Sequence, residues 1–425
     1  MTEPAAAAPP KRSALAFIFA VVVVDMLALG MIVPVLPSLI KEFEGGDTAR
    51  AAEILGIFGV TWALMQFLFS PLLGALSDRF GRRPILLFSL VGHAVDYVAM
   101  ALAPNLWWLF LGRMVSGILA ATVSTAGAYI ADVTPPERRA ASFGMIGAAW
   151  GLGFVAGPAL GGVLGEIDTR LPFWVAAGLG FAVFLFGLFF VPESLPKERR
   201  APFELGKANP LGSLAMLRSS VPLRRLAAVQ TLQLLAFNAL PSIFVLYSAH
   251  RYGWGEATVG LTLGAVGLCG VIVSALVVRP AVKALGERRA IFVGLACTAL
   301  GYGVYAFAWE GWIFWIGVPI AALGQLYTSA LQSLMTQQVG PSEQGRLQGA
   351  MSSLMGITGV IGPAIFTTAF ALSIAPGLPM FASGLPFAIS MVLIVGAMAL
   401  AVRAVAVCRT AVPSPLAMAP AADPG

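Results

Sequence analysis

The sequence predicts an all-α membrane protein of twelve transmembrane helices, arranged as two similar six-helix halves. Of the 425 residues, 58% are hydrophobic and only 11% are charged, whereas a soluble protein carries about 25% charged residues. The apolar residues form blocks of about 20 residues, the length that an α-helix needs to cross a bilayer. Several short motifs also recur at one fixed distance along the chain. Together these observations predict a membrane protein with an internal repeat.

The apolar blocks, and the polar segments between them, define the spans. In the first half they lie near residues 14–40, 53–75, 84–103, 106–131, 140–165 and 172–191. In the second half they lie near residues 224–249, 257–283, 289–308, 312–338, 346–372 and 379–404. The predicted organisation is a disordered tail (1–13), a first half (14–191), a polar cytoplasmic linker (192–223), a second half (224–404) and a C-terminal tail (405–425).

The basic residues predict the orientation. Most lie in the loops on one side, and the loops on the other side hold only Lys41, Arg50, Arg170 and Arg251. Because loops rich in Lys and Arg stay in the cytoplasm, both termini are predicted to be cytoplasmic, and an even number of spans places them on the same side. We expect a multi-pass protein of the inner (plasma) membrane, in contact with the lipid bilayer.

Several other classes of protein are not predicted. The net charge of +6 does not indicate a nucleic-acid partner, because the basic residues are confined to loops on one side. The three cysteines and the two histidines, His93 and His250, have no metal-ligand spacing. No nucleophile–base constellation is apparent. We therefore expect neither an enzyme nor a metal or cofactor site.

Motifs recur about 205 residues apart, which indicates two halves related by an axis along the membrane normal. The pairs are Gly81-Arg-Arg with Gly286-Glu-Arg-Arg, Val133-Thr-Pro-Pro-Glu with Val339-Gly-Pro-Ser-Glu, and Gly157-Pro158 with Gly362-Pro363.

The segment Gly74-Ala-Leu-Ser-Asp-Arg-Phe-Gly-Arg-Arg-Pro84 is a short basic turn between the second and third spans. It resembles the signature loop of the major facilitator superfamily, whose members work by alternating access. The resemblance implies that Asp78 meets the positive end of a second-half helix and that Asp132 pairs with a loop arginine. The residues assigned to this conformational switch are Gly74, Asp78, Arg79, Gly81, Arg82, Arg83 and Asp132.

Three charged residues lie well inside the predicted spans: Asp25, Asp96 and Arg113. Charges inside a membrane are costly, so they mark functional sites by default, although each could instead belong to a structural ion pair. An aspartate in apolar surroundings can take up and release a proton at physiological pH. We therefore expect Asp25 to carry a proton, with Arg113 able to release it if the two side chains lie close together.

The fifth span contains closely spaced small residues, which allow tight helix contacts, and a proline, which bends the helix. Its pattern resembles the fifth-span motif of proton-coupled exporters. The motif residues are Gly153, Gly157, Pro158, Gly161 and Gly162. Leu111-Gly-Arg113-Met-Val-Ser-Gly117 similarly resembles a fourth-span motif whose arginine is tied to proton transfer.

The spans of the second half carry neutral polar groups and no carboxylate. We expect some of these groups, and nearby aromatic rings, to line a substrate cavity: Gln233, Phe237, Asn238 and Gln325.

From Asp25 to the last span, the chain is similar to the tetracycline/proton antiporters. The resemblance assigns Asp25, Asp96 and Arg113 to the proton path and Gln66 to the cavity. It also exposes a departure, because Gly270 and Thr298 stand where those exporters are expected to have a His and an Asp. The leading hypothesis is a monomeric exporter of amphipathic small molecules, driven by the proton gradient without a cofactor. An exporter of a sugar or metabolite and, more remotely, a membrane receptor or scaffold are the alternatives.

Overall fold

The computed structural model describes residues 12–120, 122–134, 136–200, 212–339 and 343–408. Most of both predicted tails, and residues 201–211 of the predicted linker, lie outside these ranges. Helices dominate because a chain in hydrocarbon must satisfy its backbone hydrogen bonds within each segment. The helices of the first half are α1 (Arg12–Phe43), α2 (Thr48–Phe80), α3 (Arg82–Ala101), α4 (Leu106–Leu119), α5 (Thr122–Val133), α6 (Pro136–Ile167) and α7 (Leu171–Phe190).

The second half repeats this series after two short 3₁₀ turns, Lys197–Arg199 and Gly212–Arg218. Its helices are α8 (Val221–Phe237), α9 (Ala239–Tyr252), α10 (Glu256–Ile272), α11 (Val278–Phe307), α12 (Gly311–Ala322), α13 (Gln325–Thr336), α14 (Gln344–Ser373) and α15 (Leu385–Cys408).

The described helices correspond to twelve spans, as predicted. Among the described residues, eleven apolar helical segments are long enough to cross a membrane, and one of them, Glu256–Phe307, has 52 residues. A helix of that length would be roughly 78 Å long, more than twice the thickness of the hydrocarbon core. Gly286 breaks this segment with φ 74° and ψ 156°, so α10 and the start of α11 form the eighth span and the rest of α11 the ninth. The fourth, seventh and tenth spans each consist of two helices: α4 with α5, α8 with α9, and α12 with α13.

The internal repeat is present in the backbone. Gly81, between α2 and α3, has φ +110°, and Gly286, 205 residues later, has φ +74°. Both glycines lie between consecutive spans, in a conformation that residues with a Cβ rarely adopt. The two helix–turn–helix units therefore occupy equivalent places in the two halves. We call the side of the bundle that carries these two turns the basic side.

Glycines bring α6 into backbone contact with α1 in its own half and with α10 in the other. A Cβ added to Gly157 would lie 2.8 Å from Cα of Gly30, and one added to Gly161 would lie 2.2 Å from the carbonyl oxygen of Met31. Toward α10, a Cβ on Gly162 would lie 2.9 Å from Cα of Gly260. The small residues of the fifth-span motif therefore allow contacts that no other residue type permits.

The second half uses the equivalent helix α14 in the same way. Gly362 packs against Asn238, with 2.4 Å from an added Cβ to the asparagine Cβ. On the face toward the first half, Gly59 of α2 packs against Pro363, and Gly56 against Thr367. The two halves thus meet along two related seams, α6 with α10 and α2 with α14.

Replacing Gly161 with alanine should destabilise the protein by about 1–3 kcal/mol, because the new methyl group would overlap the backbone of α1. The measurement is the thermal unfolding midpoint of the purified protein in detergent. Gly178→Ala is the matched control, since a Cβ at position 178 of α7 meets nothing within 4 Å. Equal midpoints for the two variants would contradict the packing argument.

Candidate proton-coupling site

Three helices of the first half bring four ionisable side chains together. Asp25 comes from α1, His93 and Asp96 from α3, and Arg113 from α4. His93 and Asp96 are three residues apart and therefore project from adjacent positions on α3. Asp96 is 5% exposed and Arg113 is 8% exposed. The three charges predicted from the sequence thus lie in one region of the first half.

Asp25 lies beside His93. The distance between Nδ1 of His93 and Oδ1 of Asp25 is 3.4 Å, and the two side chains are 9% and 12% exposed. The other ring nitrogen, Nε2, lies 3.3 Å from the carbonyl oxygen of Ser116 on α4. The ring also stacks on Tyr97, with centroids 5.8 Å apart and planes 8° apart. The imidazole is therefore held on two sides.

Asp96 and Arg113 form the second part of the site. The Asp96 carboxylate lies against Gly112, where an added Cβ would be 3.1 Å from Oδ1, and it interacts electrostatically with the adjacent Arg113. The Arg113 guanidinium also lies 5.3 Å from the ring centroid of Trp62 on α2, within the range of a cation–π interaction. Gly112 leaves the space that this arrangement needs.

Part of the hydrogen-bonding capacity of the site is unused. Among the described residues, Nδ1 of His93, Oδ2 of Asp96 and Nε of Arg113 are buried without a hydrogen-bond partner. Leaving such atoms unpaired is unfavourable in a low-dielectric interior. A protein that needed these residues only for packing would pair them, so the cluster is a candidate site for proton binding.

The sequence did not reveal His93 as a member of this site. The residue pattern offers histidine only as a possible metal ligand and suggests Arg113 as a neighbour of Asp25. In the structure, His93 lies beside Asp25, and Arg113 interacts with Asp96. The available signal was the position of His93 on α3, one helical turn before Asp96.

Three of the five predicted cavity residues lie at discontinuities in the spans. Nε2 of Gln66 is 3.5 Å from the carbonyl oxygen of Ala120, just beyond the end of α4. Asn238 lies between α8 and α9. Gln325 is the first residue of α13, where the tenth span is interrupted. Broken transmembrane helices commonly line transport sites, so these amides are placed where substrate contacts are expected.

The other two predicted cavity residues lie on α8. Gln233 is buried within the second half, and Phe237 is half-exposed at the end of the helix.

At Gly270 and Thr298, the two positions where the resemblance implies a departure from the antiporters, the side chains are not ionisable. A Cβ on Gly270 would lie 3.7 Å from Nε2 of Gln325. Thr298 is buried and donates its hydroxyl to the carbonyl oxygen of Gly294 at 2.9 Å. It also packs against Gly324. This side of the bundle presents an amide to the cavity region instead of a charge.

On the basic side, Arg82 connects α2, α3 and α5. Its Nη1 is 2.5 Å from Oδ1 of Asp78, and its Nε is 3.2 Å from Oδ2 of Asp132. Asp132 therefore pairs with a loop arginine, as the resemblance implied. Asp78 differs from the expectation: its ion-pair partner among the described residues is Arg82 in its own half, not a second-half helix. Gly59 and Gly56 of α2, by contrast, do reach α14, toward the opposite side of the bundle.

A further residue of this loop network, Glu193, was not predicted. Its Oε1 accepts hydrogen bonds from the backbone N–H groups of Arg82 at 2.9 Å and Leu195 at 3.0 Å. A carboxylate at the start of α3 is stabilised by the positive end of the helix dipole. The position of Gly81 leaves room for it, since an added Cβ would lie 2.2 Å from Oε2 of Glu193. Arg83 extends the network by donating to the carbonyl oxygen of Leu188 at 2.6 Å.

Comparison with known proteins agrees with this architecture. Residues 18–363 match the Major Facilitator Superfamily. The chain therefore belongs to this superfamily of membrane transporters. It is also similar over most of its length to the human organic anion transporter MFSD10: the crystal structure covers 93% of this chain and 100% of that one, with a TM-score of 0.68 and 24% identity. That likeness concerns the fold alone.

Within the superfamily, the chain belongs to the family of the tetracycline resistance proteins. It is 41% identical to the class C protein of Escherichia coli over 362 residues, which cover 85% of this chain and 91% of the relative. It is 39% identical to the class G protein of Vibrio anguillarum over 366 residues, which cover 84% and 91%.

Replacing Arg82 with alanine should lower the turnover of transport more than the apparent substrate affinity. Arg82 lies at the end of the bundle, far from the span discontinuities, and a change there should alter the balance between conformations. Initial transport rates at several substrate concentrations would separate the two parameters. Arg50→Ala is the control, because Arg50 forms ion pairs only on an exposed surface, with Glu44 and Glu53. A large loss of affinity at unchanged turnover would place the loop in the substrate site instead.

Proposed function

We propose that the protein exports amphipathic small molecules in exchange for protons, by alternating access. The observation that carries this proposal is the buried cluster of Asp25, His93, Asp96 and Arg113 in the first half, in a chain of the tetracycline resistance family. Such a cluster can bind and release a proton, because it contains an aspartate beside a histidine and polar atoms without hydrogen-bond partners. The neutral second half has no comparable group at Gly270 or Thr298.

The seams between the halves support alternating access. Along α6 and α10, the backbones approach each other closely at Gly162 and Gly260. Such an interface can rock without the repacking of large side chains. A proton on Asp25 changes the charge of the first half, and any difference in proton affinity between the two conformations biases their equilibrium. Binding of substrate at the broken spans biases the same equilibrium, which couples the two events.

The energetics allow one proton per substrate. A proton that enters the cell releases about 2.3 kcal/mol per 100 mV of membrane potential. A tenfold concentration gradient of a neutral substrate costs about 1.4 kcal/mol. One proton therefore suffices for a substantial uphill gradient, and the mechanism needs no cofactor. In this proposal the protein works as a monomer in the inner membrane, with the basic side and both termini in the cytoplasm.

The polar groups near the broken spans favour a neutral or weakly cationic amphiphile as substrate. Gln66, Asn238 and Gln325 supply amides, which orient a ligand, while the surrounding apolar area supplies affinity. The names of the relatives favour a tetracycline. A tetracycline chelated to a divalent cation carries positive charge, however, and the second half has no carboxylate at positions 270 and 298 to bind it.

Replacing Asp25 with asparagine should abolish proton-driven export while leaving the protein inserted in the membrane, because an amide cannot carry the proton. The measurement is uphill substrate accumulation in energised everted vesicles. Asp47→Asn is the matched control: Asp47 is exposed and caps α2 through Oδ1, which accepts from Ala49 and Arg50, and asparagine caps helices equally well. Full pH-dependent export by Asp25→Asn would transfer the proton role to Asp96.

Expression in a pump-deficient bacterium should give weak or no tetracycline resistance and measurable protection against another hydrophobic drug. The physical reason is the absence of a second-half carboxylate at positions 270 and 298. Minimal inhibitory concentrations over a drug panel would test this, with the Asp25→Asn variant as the inactive control. Strong resistance confined to tetracyclines would show that first-half carboxylates bind the chelate without help.

A further inference from the structure

We infer that His93 exchanges a proton directly with Asp25, so that the proton site consists of an aspartate–histidine pair between α1 and α3. This inference rests on the proposed proton coupling and assigns a role within it to a residue that sequence reasoning left aside. It is carried by the hydrogen-bonding geometry of the imidazole.

The carbonyl oxygen of Ser116 determines which ring nitrogen carries hydrogen. Nε2 of His93 lies 3.3 Å from this oxygen, and a carbonyl oxygen can only accept a hydrogen bond. Nε2 is therefore the protonated nitrogen of the neutral imidazole. The other nitrogen, Nδ1, then has a lone pair and no hydrogen.

That lone pair faces a second acceptor. Nδ1 lies 3.4 Å from Oδ1 of Asp25, and it is buried without a hydrogen-bond partner among the described residues. A neutral imidazole nitrogen and an ionised carboxylate would repel each other across this gap. The arrangement is favourable only when one proton is bound by the pair, either on the aspartate or on the histidine.

The transfer within the pair needs no other reactant. The O–H bond of the protonated Asp25 breaks, and the same proton forms an N–H bond at Nδ1. The product is a carboxylate beside an imidazolium, so the total charge of the pair stays at zero. Nε2 keeps its hydrogen toward Ser116 throughout. The imidazole can thus take the proton of Asp25 at Nδ1 and return it, so that the two side chains share one proton.

The surroundings relate this proton to substrate binding. His93 lies beside Asp25 of α1 and stacks on Tyr97 of α3, and Tyr97 in turn interacts electrostatically with Asp96 of α3 and Arg113 of α4. When Asp96 is ionised, its charge and that of Arg113 cancel. With one proton on the Asp25–His93 pair, the whole cluster is neutral, and without it the cluster has a charge of −1. Loss of the proton therefore favours binding of a weakly cationic substrate, and return of the proton favours release of that substrate.

The principal test is His93→Gln, because the glutamine amide can still donate to the Ser116 carbonyl but cannot exchange a proton. Proton release on substrate addition is measured with a pH-sensitive dye in energised everted vesicles. Proton-driven export should fall on the order of 100-fold, whereas substrate exchange at equal concentrations on both sides should continue, since it needs no net proton movement. His250→Gln is the matched control, because His250 is the only other histidine of the chain and lies on α9.

A double variant tests whether the two residues act as one unit. If they do, Asp25→Asn with His93→Gln should lose no more proton-driven export than Asp25→Asn alone. Losses of proton-driven export that multiply in the double variant would overturn the inference. Wild-type proton coupling with a wild-type pH profile in His93→Gln would also overturn it. Wild-type vesicles that release no protons on substrate addition would instead overturn the proposed function itself.

A spectroscopic measurement keeps the inference falsifiable even if His93→Gln fails to fold. The method is ¹⁵N NMR of the full chain in detergent. The His93 signals are those that remain in the spectrum of the His250→Gln variant, because the chain has only two histidines. The expected result is a neutral ring protonated at Nε2, with a titration of Nδ1 that moves when Asp25 is replaced by asparagine. The proposal would be overturned if the neutral ring were protonated at Nδ1. It would also be overturned if the titration were the same in the wild type and in Asp25→Asn.

Discussion

Backbone contact at glycines is the interaction on which this structure depends. In a membrane, apolar side chains gain little by leaving lipid for protein, so helices associate through close packing. Gly157 lies against Gly30 within the first half, and Gly162 lies against Gly260 across the two halves. The helix α6 is therefore tied to α1, which carries Asp25, and to α10 of the other half. A rocking movement at one seam would therefore reach α1, which carries the proposed proton carrier Asp25.

The internal repeat gives the two halves similar folds, but the cluster of Asp25, His93, Asp96 and Arg113 lies in the first half alone. Thr298 follows His93 by 205 residues, the same distance that separates Gly81 from Gly286. It therefore occupies the equivalent place on the ninth span, yet its hydroxyl is satisfied within its own helix. Ionisable groups are costly in a bilayer, and one half suffices to bind a proton. The other half is then free to present amides, such as Gln325, to a substrate.

The sequence predicted those features that depend on composition or on local backbone geometry. The twelve spans follow from block length, and the turn at Gly286 from its resemblance to Gly81. The approach of His93 to Asp25 could not be predicted, because it depends on how α1 and α3 pack, and neither residue is near the other in the chain. Glu193 was missed for the same reason. The partner of Asp78 was not predicted either, because the loop contains three arginines and the motif does not specify which of them the aspartate contacts.

The helix α3 joins the loop network to the proton site. Arg82 and Arg83 are its first residues, and His93 lies 11 residues after Arg82, which corresponds to about 17 Å along an α-helix. Arg82 is held by Asp78 and Asp132, and His93 by Asp25 and Ser116. Since a helix transmits displacement along its axis with little compression, a shift of α3 that separates His93 from Asp25 must also strain the ion pairs of Arg82. In the proposed mechanism, the ion pairs and the proton bias the same two-state element from opposite ends, and this physical link is how a distant loop would set the turnover of transport.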